Sequence, residues 1–174
     1  MPTKKKTAEN KSTRDRTEPT GAEAMSAIDL LEADHRQVED MFEEYESLED
    51  AGEREQLALK ICIALQVHTQ IEEEIFYPAA RQAIEKAELI DEAIVEHTAA
   101  KQLIAEIEDM EPSDELYDAK VKVLGEQVLH HVEEEEGELF PAVEGSKLDL
   151  EALGTQMTQR KAALLKELAG DQPG

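Results

Sequence analysis

The chain has 174 residues, a formal net charge of -24, 40% apolar residues and only 3% aromatic ones, with no Trp. That length fits one domain with a core of ordinary size; the scarcity of aromatics favours helix-on-helix packing over a β-sandwich; and so acidic a surface repels nucleic-acid phosphate and anionic lipid. No apolar run approaches the roughly 20 residues of a membrane span, and the single cysteine, Cys62, allows no intrachain disulfide, so a cytoplasmic location and a buried structural thiol are expected.

Residues 1–24 carry six Lys or Arg against four acidic residues and almost no apolar side chains. They are expected to form a disordered basic tail, with neither the apolar core of a secretory signal nor the acid-free composition of a transit peptide. A first helix is expected after Ser26, whose side chain can cap it while Asp29 closes the box, running to about Glu49. Its apolar stripe reads Ile28, Leu31, His35, Val38, Phe42, Tyr45. After a turn near Ala51-Gly52, the second helix places Leu57, Ile61, Leu65, His68, Glu72 and Ile75 on one face, so a carboxylate sits at a core position. Pro78 is expected to end or bend that helix, leaving a short helical connector from Ala79 to about Glu88. The third helix shows Ile90, Ile94, His97, Ala100, Ile104 and Ile107, ending near Pro112. Ser113 can cap the fourth, whose stripe is Tyr117, Val121, Leu124, Val128, His131, Glu135, Leu139, with His130 about 100° to the side. A fifth amphipathic segment, Asp149 to Ala169, carries Leu150, Leu153, Met157, Leu164 and Leu168, and Gln172 to Gly174 are expected to fray.

The second and fourth helices repeat a pattern. VHTQIEEEIFYP, from Val67, and HVEEEEGELFP, from His131, both read His-x-x-x-Glu with a proline ten residues after the histidine. His35 and His97 precede these copies by 33 and 34 residues, so the chain is an internally repeated helical hairpin. Short connections make the four helices an antiparallel up-down-up-down bundle. At about 1.5 Å per residue, His35 and His68 lie about 21 Å and about 22 Å from their shared turn. His97 and His131 match to within about one helical turn. Six polar side chains thus converge on one layer of the interior.

Two carboxylates inside an apolar bundle, with no Lys or Arg on the inward stripes, cost several kcal/mol each unless a cation compensates them. A single stripe histidine is more often an ordinary core residue than a ligand; four at matched heights, with two glutamates in register, point to metal. Imidazole and carboxylate without thiolate favour iron, with manganese or zinc as competitors. Carboxylates from the second and fourth helices could bridge two ions about 3.5 to 4 Å apart.

The order His, His-x-x-x-Glu, His, His-x-x-x-Glu, with EIFYP and ELFP endings, resembles the hemerythrin-like (HHE cation-binding) family from Ile28 to about Val143. The resemblance implies an all-α antiparallel four-helix bundle, here over residues 25–145; beyond it, the fifth amphipathic segment makes residues 146–174 an additional C-terminal helix and its frayed end. It further implies a non-haem di-iron centre open to dioxygen or a related small molecule. Carried over by position, His35, His68, His97 and His131 would be terminal ligands, and Glu72 and Glu135 bridges. One position departs from the oxygen-carrying members: Lys101 stands where they have a further histidine. They also place a histidine five residues before the carboxylate of the fourth helix, a spacing that His130 to Glu135 satisfies. Glu39 and His130 are therefore candidates to complete the ligand set. Three functions are compatible with these residues: a protein that binds dioxygen or a related small molecule for sensing, storage, nitric oxide or peroxide response, or iron handling; an enzyme that decomposes peroxide or oxidises iron(II); or an interaction module whose metal is structural and whose fifth helix docks a partner or a second copy.

Overall fold

A computed structural model describes residues 25–170; the basic tail and the three-residue frayed end expected from the sequence lie outside the described residues. Helix α1 spans Ala27–Ser47 and is capped as expected: the Ser26 hydroxyl accepts from the Asp29 amide at 3.2 Å and donates to the Asp29 carboxylate at 2.7 Å. The following turn falls earlier than the sequence suggests. Asp50 is the cap and accepts from the Glu53 amide, so Ala51 and Gly52 already belong to α2, Ala51–Ile71.

Pro78 does not end that helix. At Glu72 the α-helical ladder widens into a π turn, Glu72–Phe76, and then resumes as α3, Tyr77–Ala83. The Tyr77 amide donates to the Glu72 carbonyl, five residues back. A proline inside a helix lacks a donor and crowds the carbonyl four residues behind it; the wider turn relieves both problems. The extra residue also rotates the next turn of helix, so Phe76 and Tyr77 point inward and Ile75 is only half-buried.

Helix α4 spans Ala87–Glu108, with Ala93 rather than Ile94 facing the core. Ser113 caps nothing: residues 111–116 form tight turns held by Asp114, and α5 begins at Tyr117, running to Glu134. Its expected stripe is buried from Tyr117 to Leu139 without exception. A second π turn, Glu135–Leu139, leads into α6, Phe140–Glu144, which carries Pro141 at its start. Both glutamates of the repeat therefore open a π turn, and both prolines close one.

The result is a four-helix bundle with an additional helix, α7, Leu150–Gly170. Leu153, Met157 and Leu164 of α7 are buried, each burial contributing about 1.5–3 kcal/mol, and the helix lies across α1 and α2. Gly154 permits that approach, since a Cβ there would come within 2.7 Å of the Ala27 amide nitrogen. The apolar stripe of α7 is thus used within the chain, and the surface it leaves exposed is mostly polar. The buried apolar residues form two clusters, one from Ala27 to Leu31 with the π-turn ends and α7, the other toward the opposite end with Tyr45, Ile61 and Tyr117. The polar layer lies between them. Cys62 is a buried free thiol in the second cluster. Among the described residues no helix is long and apolar enough to cross a membrane.

Candidate metal centre

All six residues singled out from the repeat meet in one buried layer. His35, His68, His97 and His131 are between 2% and 8% exposed, Glu135 is 2% and Glu72 0%. The Nε2 atoms of His35 and His68 are 3.1 Å apart, and those of His97 and His131 3.2 Å apart. Glu72 Oε2 lies 3.2 Å from the Nε2 of both His68, on its own helix, and His97, on the other hairpin. Glu135 Oε2 lies 3.6 Å from His131 Nε2 and 3.4 Å from His35 Nε2. The arrangement has approximate two-fold symmetry, as the sequence repeat requires. Among the described residues, His35, His68, Glu72 and Glu135 can present one ligand atom each to a common point, as can Glu72, His97 and His131. Glu72 belongs to both groups.

A set of carboxylates that the stripe pattern did not single out surrounds this layer. Each imidazole turns its Nδ1 outward toward one of them. His35 pairs with Glu136 at 2.8 Å, His97 with Glu73 at 3.0 Å and His131 with Glu96 at 2.7 Å, while His68 Nδ1 lies 3.6 Å from Asp34. An outer carboxylate fixes which ring nitrogen carries the proton and leaves the other free as a donor to metal. The signal was present in the sequence: an acid directly precedes His35 and His97, and one directly follows Glu72 and Glu135. These neighbours look like solvated acidic residues until the helices are assembled.

The electrostatics fit a cation. Neither oxygen of Glu72 has a hydrogen-bond partner, and Glu135 Oε2 has none either. A fully buried carboxylate without donors costs several kcal/mol. Burial alone would suppress ionisation of Glu72, but His68 and His97 outweigh it and hold its carboxyl well below the usual range. Conversely, burial pulls His68 down while Glu72 and Asp34 more than offset it, raising the imidazole to about 10. With protein groups alone, a proton on His68 neutralises the charge of Glu72. A metal ion at the same point would displace that proton and satisfy the orphan oxygens as well.

The remaining candidates lie elsewhere. His130 is 64% exposed at its side chain and faces Glu134, so His131 is the histidine in the layer. Glu39 pairs with Arg36 at 2.9 Å on the surface. Lys101 turns away from the histidines and grips both oxygens of Glu73, at 2.6 and 2.7 Å. Tyr77 was not among the expected site residues. Its hydroxyl donates to Glu135 Oε1 at 3.0 Å and lies 3.2 Å from His97 Nε2. Its counterpart in the repeat, Phe140, has no hydroxyl and stacks on His35 at 5.8 Å, which explains why Glu72 has no matching donor. Beside the layer lies a cavity of about 30 Å³ bordered by all four histidines and by Leu65, Val128 and Val132.

Comparison with known proteins agrees with this geometry. A crystal structure of a hemerythrin HHE cation-binding domain-containing protein from Mycobacterium kansasii matches with a TM-score of 0.70 and 23% identity, over 84% of this chain and 93% of that one. A Nostoc protein named as a DNA nickase is 26% identical over 160 residues; the match takes in 91% of this chain but 45% of that protein, so the chain spans about half its length. The model of the hemerythrin HHE cation-binding domain matches residues 26–143, which contain every residue of the layer, and the chain belongs to that family.

Proposed function

We propose that the chain is a cytoplasmic non-haem di-iron protein that binds dioxygen or a related small molecule. The observation that carries this reading is the buried layer of four inward Nε2 atoms and two under-satisfied carboxylates beside a small cavity. His35 and His68 would hold one ion and His97 and His131 the other, with Glu72 and Glu135 between them. Bound iron would supply reversible ligation of a diatomic molecule and one-electron chemistry.

The protein's own part is to orient and to exclude. Glu136, Glu73 and Glu96 hold the rings of His35, His97 and His131 with Nε2 inward, Asp34 stands 3.6 Å behind His68 Nδ1, and Tyr77 holds one oxygen of Glu135. A cavity of about 30 Å³ has room for a molecule of a few atoms. Leu65, Val128 and Val132 give that cavity an apolar wall, which lowers the local dielectric and strengthens charge interactions beside it. Strand nicking, the activity in the name of the Nostoc relative, does not suit a chain of net charge -24, which would repel the phosphate backbone.

Anaerobically reconstituted, reduced protein mixed with dioxygen tests the proposal. It should take up about two iron ions per chain, the number of a two-metal site, and give a saturable change in its visible spectrum on mixing. Iron at or below one per chain, or no spectral change up to air saturation, would contradict it.

A further inference from the structure

The two hairpins are equivalent inside and unlike outside. Aligning His35 with His97 and His68 with His131 pairs Leu30 with Glu92, Val67 with His130, and Ile71 with Glu134. On the first hairpin these positions are buried beneath α7. On the second they face solvent. The α4–α5 face therefore carries carboxylates and an imidazole where its symmetry mate carries aliphatic side chains.

A crevice of about 40 Å³ enters the bundle there, walled by Glu92, Glu96, Glu134 and Glu138 and reaching His131 and Glu135. Glu135 is 2% exposed, and its Oε2 has no hydrogen-bond partner, so an unsatisfied buried carboxylate forms the floor. At the mouth, Glu96, His130 and Glu134 can each present one ligand atom within 4.8 Å of the others. His130 Nε2 is 3.3 Å from Glu134 Oε1 and 3.9 Å from Glu96 Oε1. Glu96 faces both ways, since its other oxygen binds His131 Nδ1 at 2.7 Å. The only cation paired here among the described residues is Lys86, 3.9 Å from Glu138 at the outer edge.

We infer that Glu96, His130 and Glu134 form a docking site for a hydrated divalent cation, and that the crevice is the route by which ferrous iron reaches the buried layer. The inference rests on the proposed metal centre and adds a second, external site to it. One imidazole and several carboxylate oxygens suit Fe(II) or Mn(II), which retain water in the other positions. Solvent exposure keeps binding weak enough for release inward, toward Glu135. Iron stays ferrous throughout, and only water and imidazole protons are exchanged. The concentrated negative charge raises the local cation concentration and so the rate of capture.

The full chain, stripped of metal, is mixed anaerobically with ferrous iron in a stopped-flow instrument. The H130A/E134Q double variant should reach the same final iron content as the parent but about tenfold more slowly, while E43Q, an equal loss of charge at Glu43, an exposed residue of α1, should load at the parent rate. A double variant that loads as fast as the parent overturns the route. A parent that never fills its interior means instead that the metal centre itself is misread. The external site is then judged alone by Mn(II) added to the H68A variant: selective NMR broadening of the His130 ring protons supports it, and their indifference to Mn(II) overturns it.

Discussion

The α1–α2 and α4–α5 hairpins, with the π turns that follow them, present the same three polar groups to the centre, two histidines and a glutamate, yet a fifth helix covers one of them and the other is open and acidic. Inside, the halves match but for one hydroxyl, that of Tyr77 against Phe140: Nε2 inward, a carboxylate behind each Nδ1, a π turn opening at the glutamate. Outside, Asp34 is neutralised by Lys161 from α7, whereas its counterpart Glu96 faces His130 and solvent. Arg160 of α7 likewise clasps Glu74 on the first π turn, at 2.6 and 3.1 Å. Chemistry at a shared layer constrains both halves alike; packing behind that layer does not, so each half acquired a different support. The first is held from outside by a helix beyond the matched domain, and the second is left accessible.

Breaking the cover should have the largest effect. Gly154→Val would drive a side chain into the backbone at Ser26 and Ala27. It should lower unfolding free energy by about 3 kcal/mol, measured by urea denaturation. An unchanged midpoint would mean that α7 contributes little to the first half. The next contrast is the tyrosine. Tyr77→Phe makes the halves alike by removing the hydroxyl from Glu135, and should cost metal-free protein about 2 kcal/mol, the scale of a hydrogen bond to a charged group. The reciprocal Phe140→Tyr should recover part of that loss in the double variant by giving Glu72 a donor. Denaturation of the four proteins decides the matter, and strict additivity without recovery would refute the symmetry.

Smaller effects separate the outer cations. Lys161→Met leaves Asp34, 8% exposed, without its partner and loosens the support behind His68. Metal affinity should fall about tenfold, the lower end for loss of an outer support, and Lys161→Arg should restore it. Lys101→Met acts on the same kind of carboxylate in a wetter place, its side chain 42% exposed. A surface pair of that kind contributes less than about 1 kcal/mol, so competitive chelation should barely distinguish this variant from the parent.

The bundle and its inner layer were legible because both rest on periodicity. Stripe spacing put His35, His68, His97 and His131 inward, and the repeat tied Glu72 and Glu135 to them. What periodicity could not show was where it changes. The π turns shift the phase by one residue, which is why Ile75 gave way to Phe76 and Tyr77, and why Pro78, expected to end or bend its helix, instead follows the π turn into the next helical segment, as Pro141 does in the second copy. Nor does a stripe reveal Asp34, Glu73, Glu96 and Glu136, since an acidic neighbour of a core residue becomes a partner only when another helix brings a ring to it. Ser113 fails as a cap for a similar reason: the Asp114 carboxylate accepts from the Glu111 amide and its carbonyl from the Tyr117 amide, so the chain turns there and α5 starts only at Tyr117.

Two metal ions held by one symmetric layer are the central claim. Crystals of the iron-loaded chain, measured on both sides of the iron absorption edge, would test it most directly. Two anomalous peaks are predicted in the interior, one beside the Nε2 atoms of His35 and His68 and the other beside those of His97 and His131, with Glu72 and Glu135 between them. A single interior peak, or iron found only away from these histidines, would contradict it.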